Sequence, residues 1–234
     1  MVPIVGGLVC LKPPEHIVRR TSTEHFKLQD YLGLITKPDL LRLFLAQMAL
    51  TLGPGWMSAL YMFFFIDARK YSAEQASALL LVYVVAGILG APLTARLAMR
   101  FSKHRTLMVT TTAYALGLCL VMVTPKGSVL AALPVMFWCG FMAAGFDLMI
   151  RAMLADVADE VRLEQGQEQL SLIYALNALA TKIAAAFAIG LTFPLLGRLG
   201  YNAAEGASNT PQAIFSLELA FIVGPIFFVM LGGA

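Results

Sequence analysis

From Leu41 onward the chain alternates between long apolar runs and short charged breaks. The runs cover residues 41–66, 75–97, 106–123, 129–150, 169–196 and 213–233. A helix needs roughly 20 apolar residues to cross a hydrocarbon core about 30 Å thick, so each run predicts one transmembrane helix. Charged or turn-forming residues fill the breaks: Asp67-Ala68-Arg69-Lys70, Arg96 to Arg105, Thr124-Pro125-Lys126-Gly127, Arg151 to Glu168, and Arg198 to Pro211. These read as loops. Val2 to Leu11 is also apolar, but its ten residues are too few to span. It lacks the basic region that opens a signal peptide. The expected organisation is the end of a preceding transmembrane helix over 1–11, a cytoplasmic inter-domain loop over 12–40, and a six-helix bundle over 41–234. The fold class is an all-α membrane protein.

Composition agrees with this pattern. Of 234 residues, 59% are hydrophobic and 13% charged, and the mean hydropathy is +0.76. Soluble domains carry roughly 45–50% apolar and about 25% charged residues. The net charge of +3 is too small to point to nucleic acid. The basic residues instead set topology through the positive-inside rule. With the segment after Leu11 in the cytoplasm, that side holds Lys12, Arg19, Arg20, Lys27, Lys37, Arg42, Arg96, Arg100, Lys103, Arg105, Arg151 and Arg162. The opposite side holds Arg69, Lys70, Lys126 and Arg198. Six spans then return the C-terminus to the cytoplasm.

Little in the chain points to enzyme chemistry. His16, His25 and His104 fall in cytoplasmic segments, and no HExxH, GxSxG or paired-cysteine metal spacing occurs. Cys10, Cys119 and Cys139 lie in apolar stretches, as packed thiols do.

The fifth run carries the strongest functional signal. On a wheel of 100° per residue, Ser171, Asn177, Thr181 and Lys182 fall within about 80° of Tyr174, together with Ala178 and Ala185. Leu172, Ile173, Leu176, Leu179, Ile183 and Phe187 take the other side. A polar stripe inside a membrane turns to a bundle interior or to a water-filled cavity. Lys182 lies about 20 Å from the start of the run at 1.5 Å per residue. A lysine at that depth costs roughly 2.5–3.5 kcal/mol on insertion scales, which marks it as a functional candidate. A structural ion pair or an interhelical bond is the competing explanation. Asp147 shares a face of small residues with Gly140, Ala143 and Ala144 and could line the same cavity. Arg151, four residues later, is equally placed to pair with it on the same helix. Glu218 reads as an interfacial charge near the outer end of the last span. In the first span, Gly53-Pro54-Gly55 predicts a kink, either harmless or beside a cavity.

The stretch Ala155-Asp156-Val157-Ala158-Asp159-Glu160, the polar run with Tyr174 and Lys182, and the following Gly200-Tyr201 carry a family resemblance. They resemble the C-terminal half of glycoside–pentoside–hexuronide:cation symporters, the melibiose-permease-like group of the major facilitator superfamily. The basic segment from Arg96 to Arg105 is similar to the loop between the second and third helices of a six-helix half, with Ser102 where glycine is usual. The resemblance implies a twelve-helix transporter of which this chain supplies the second six-helix half, in the cytoplasmic (inner) membrane. It implies a sugar site at Lys182, with Tyr174, Asn177, Thr181 and Asp147 beside it. It implies Na+ or H+ as coupling ion, bound mainly by the N-terminal six-helix half, and no other cofactor. Asp147 falls where melibiose permease has an aromatic residue near the sugar, and other relatives carry lysolipids, so the solute stays open. Some of Arg96, Arg100, Lys103 and Arg105, after the second span, are expected to pair with Asp156, Asp159 or Glu160, after the fourth, as a cytoplasmic gate, or else all are solvated loop charges. The expected partners are a small solute, the bilayer and the other half. A membrane interaction subunit with no transport of its own is the alternative.

Overall fold

The computed structural model describes residues 33–165, 169–204 and 207–234. The expectations for 1–11 and for 12–32 lie outside the described residues. Six long helices form, and no strand occurs among the described residues: α1 Pro38–Phe63, α2 Ala73–Phe101, α3 Lys103–Val123, α4 Val129–Gln165, α5 Leu170–Arg198 and α6 Pro211–Gly233. All six are long and apolar enough to cross a membrane.

Local chemistry sets the helix starts. Pro38 and Pro211 open α1 and α6, where a missing N–H costs nothing. Ser72 and Gln75 form a reciprocal capping box at the start of α2. The hydroxyl of Thr210 accepts from the Ala213 N–H at 3.2 Å. At the junction of α2 and α3, Ser102 adopts φ +137°, and its hydroxyl accepts from the Arg105 N–H at 3.3 Å.

The structure bears on three expectations. The Arg96–Arg105 and Arg151–Glu168 breaks are mostly helical: α2 runs to Phe101, α3 restarts at Lys103, and α4 continues to Gln165. At 37 residues α4 is about 55 Å long, so its charged end projects beyond a core of about 30 Å. Charge marks the membrane edge there, not the helix end. Second, Pro54, where the sequence predicts a kink, lies inside α1, and the helix continues through it. The flanking glycines serve packing: a Cβ at Gly53 would lie 2.6 Å from Val229, and one at Gly55 would lie 2.9 Å from Ala188. A π-helical segment follows at Phe64–Ala68. Third, Glu218, expected as an interfacial charge, is buried within the bundle (7% exposed).

The packing has internal symmetry. α1 packs chiefly on α5 and α6, α4 packs chiefly on α2 and α3, and α3 meets α6. Exchanging α1 with α4, α2 with α5 and α3 with α6 maps this pattern onto itself, as expected of paired three-helix repeats. α2 and α5 are the least enclosed. Only 22% and 28% of their most apolar windows are buried, against 50% for α1 and α3.

Candidate functional site

The stripe predicted on α5 is divided by the structure. Asn177 and Lys182 are five residues apart, which separates them by about 140° around the axis. The bundle takes the Asn177 side. Ile173, Asn177, Ala184 and Ala188 are buried, and Asn177 is 6% exposed, with no hydrogen-bond partner for its Oδ1. The expected common face for Asn177 and Lys182 is therefore corrected. Lys182 is exposed and has no ion-pair or hydrogen-bond partner among the described residues. Ala175, Ala178 and Ala185 are exposed with it. Of the apolar residues expected on the far side, Leu172, Ile173 and Leu176 are buried, whereas Leu179, Ile183 and Phe187 are exposed. Thr181 Oγ1 donates back to the Asn177 carbonyl at 2.9 Å, which satisfies it within the helix.

Tyr174 joins α5 to α4: its hydroxyl donates to the Arg151 carbonyl at 3.1 Å. One turn along α4, Asp147 accepts from Arg151 Nε at 2.6 Å, with the side chains 56% and 62% exposed. Asp147 thus has the same-helix partner that its spacing allowed. From the Tyr174 contact, the helical rise places Asp147 about 6 Å and Lys182 about 12 Å further along the bundle axis. Tyr174, the Asp147–Arg151 pair and Lys182 therefore lie within about two turns of one another on open surface. Four cavities among the described residues are lined by none of Tyr174, Asn177, Lys182 and Asp147.

At the basic end, Lys103 Nζ donates to both carboxylate oxygens of Asp156 at 2.6 Å and to the Ala152 carbonyl at 3.0 Å. Asp156 is therefore engaged within this bundle. Arg96, Arg100 and Asp159 are exposed and form no ion pair among the described residues. The opposite end is tied by contacts that sequence did not disclose. Arg69 is 3% exposed and donates to the Met122 and Thr124 carbonyls at 2.9 and 3.1 Å. The Tyr201 hydroxyl donates to Asp67, and burial together with that bond holds its phenol above the ordinary value of 10. Lys126 lies 3.4 Å from Glu218.

Among the described residues, six spans, interleaved repeats and an ammonium within a span that forms no ion pair define a multi-pass membrane protein built as one six-helix bundle of a transporter. Residues 15–234 match the family described as MFS/sugar transport protein, and the chain belongs to that family, within the major facilitator superfamily. No curated protein matches the chain.

Proposed function

We propose that this chain is the C-terminal half of a cation-coupled symporter for a sugar or glycoside, of the melibiose-permease-like group, working by alternating access in the cytoplasmic membrane. The observation that carries the reading is Lys182, an ammonium inside a span with no partner among the described residues, on the exposed side of α5, one of the two least enclosed helices. A second bundle laid against α2 and α5 would turn that exposed side into a cavity wall. Lys182 then donates to solute hydroxyls, and Tyr174, Thr181 and the Asp147–Arg151 pair border the same space. Asn177 acts from behind, through the packing of α5 on α1. Arg96, Arg100 and Asp159 are free to pair across to the other half when the cytoplasmic side closes, and Asp156 is held by Lys103. The basic end is cytoplasmic, as is the C-terminus, by the positive-inside rule. The coupling Na+ or H+ sits mainly in the other half.

The test is Lys182→Met in the full-length protein. A hydrogen bond to a charged group contributes about 1.5–3 kcal/mol, so solute binding weakens about tenfold to hundredfold, with membrane levels near those of the parent. Unchanged binding at normal levels overturns the assignment. Loss of folded protein with intact binding in the remainder assigns Lys182 a structural role.

A further inference from the structure

Between α1, α3, α4 and α6 lies a cavity of about 610 Å³, and no residue of α2 or α5 lines it. It is therefore separate from the Lys182 face. Its walls are apolar, with Leu45, Met48, Leu52, Met108, Phe228 and Leu231 prominent, and Arg42 and His104 stand at its mouth. Leu45, Met108 and Leu231 are 56%, 52% and 61% exposed, so the cavity opens sideways as a groove. From Arg42 to Leu52 the helical rise gives about 15 Å, which is the depth of one leaflet in a core about 30 Å thick. An apolar groove of that depth, open to hydrocarbon, suits an acyl chain and refuses water.

The mouth specifies the headgroup. Arg42 and His104 also line an adjoining cavity of about 330 Å³, with Asp39, Asp156 and Glu160. Asp156 is occupied by Lys103 at 2.6 Å. Asp39 reaches Arg42 at 3.4 Å through one guanidinium nitrogen, which leaves further donors of the fork for a phosphate. Glu160 is exposed and makes no ion pair among the described residues. The mouth thus offers a cation for a phosphate and a carboxylate for an ammonium. A wholly anionic headgroup would meet Asp39 and Glu160 unfavourably. A choline headgroup has no N–H to donate to them. We propose that this groove binds phosphatidylethanolamine from the leaflet at the basic end, with one acyl chain along α1 and α6, the phosphate on Arg42 and His104, and the ammonium on Glu160 or Asp39.

The experiment incubates the full-length protein in mild detergent with an equimolar mixture of phosphatidylethanolamine, phosphatidylglycerol and phosphatidylcholine, and reads bound lipid by native mass spectrometry. The expected result is about tenfold higher occupancy by phosphatidylethanolamine. Combined Arg42→Gln and His104→Gln reduces it to the level of the other two. Glu160→Gln removes the preference over phosphatidylcholine while binding persists. Ala46→Phe fills the groove and removes all three; Leu45→Trp, at an exposed position on the same wall, replaces it if Ala46→Phe does not fold. Equal occupancy by the three lipids overturns the proposal, as does a phosphatidylethanolamine adduct unmoved by the double substitution. Cross-linking of a cysteine placed at Met48 to residues 12–32 also overturns it, because the chain itself would then fill the groove.

Discussion

Ser102 separates α2 from α3 with φ +137° and ψ 158°, a region that is almost entirely glycine's and costs other residues about 1–3 kcal/mol. Its hydroxyl cap on Arg105 recovers part of that, since exchanging an N-cap serine for glycine loses only a few tenths of a kcal/mol. Ser102→Gly is therefore expected to raise stability by about 1 kcal/mol, seen as a higher unfolding midpoint in detergent, whereas Ser102→Val lowers it. The sequence already marked this position, because glycine is usual there in the resembling family. Other single residues were less legible. Arg69 and Glu218 read as charges near a membrane surface, yet both are buried, since their partners come from segments 53 to 92 residues away. Lys182 stood out because a charge deep in an apolar run has few explanations. Asn177 was misplaced because a wheel centred on Tyr174 spans 140° between Asn177 and Lys182, wide enough for a neighbouring helix to claim one edge and leave the other bare.

At the level of elements, the spans were legible as runs of apolar residues, and their ends were not. Charges on helical extensions outside hydrocarbon look the same in sequence as charges in loops, which is why Asp156 and Asp159 seemed to sit in a connection. The pairing of helices was also hidden, because an apolar face does not announce its partner. What fixes the α2–α4 seam is small residues in close approach. A Cβ at Gly140 would lie 2.0 Å from the Tyr83 carbonyl oxygen, and one at Gly90 would lie 2.1 Å from that of Phe141. Neither backbone can retreat without moving its helix. Gly140→Ala is expected to cost at least about 1–3 kcal/mol, the usual toll of overpacking, and to lower the unfolding midpoint accordingly. Gly190→Ala, with nothing within 4 Å, should leave the midpoint unchanged or slightly higher, as alanine favours the helix. Equal effects of the two substitutions would remove close approach as the reason for glycine at Gly140.

For the whole molecule, the open sides of α2 and α5 set the strongest expectation. Alternating access requires one bundle to move against another around a site between them, and the helices of the described residues build one bundle. Residues 1–234 reconstituted alone in vesicles should show no gradient-driven sugar uptake above protein-free vesicles. Two copies could meet through the open face, but that would bring two Lys182 ammonium groups together, and like charges at close range repel. Saturable, ion-dependent uptake by the chain alone would show that the six helices suffice. The interleaving of the two repeats has a further consequence, for the order in which the molecule can assemble as it is made. α4 emerges from the ribosome to find its main neighbours, α2 and α3, already in the bilayer. α1 must wait for α5 and α6, which follow α4 in the chain. Throughout that interval the indole N–H of its buried Trp56 lacks the Ala220 carbonyl on α6, which it reaches at 2.9 Å in the folded bundle. A stall between α4 and α5 would thus strand the first helix of this bundle, not its most recent, as the one that quality control first meets.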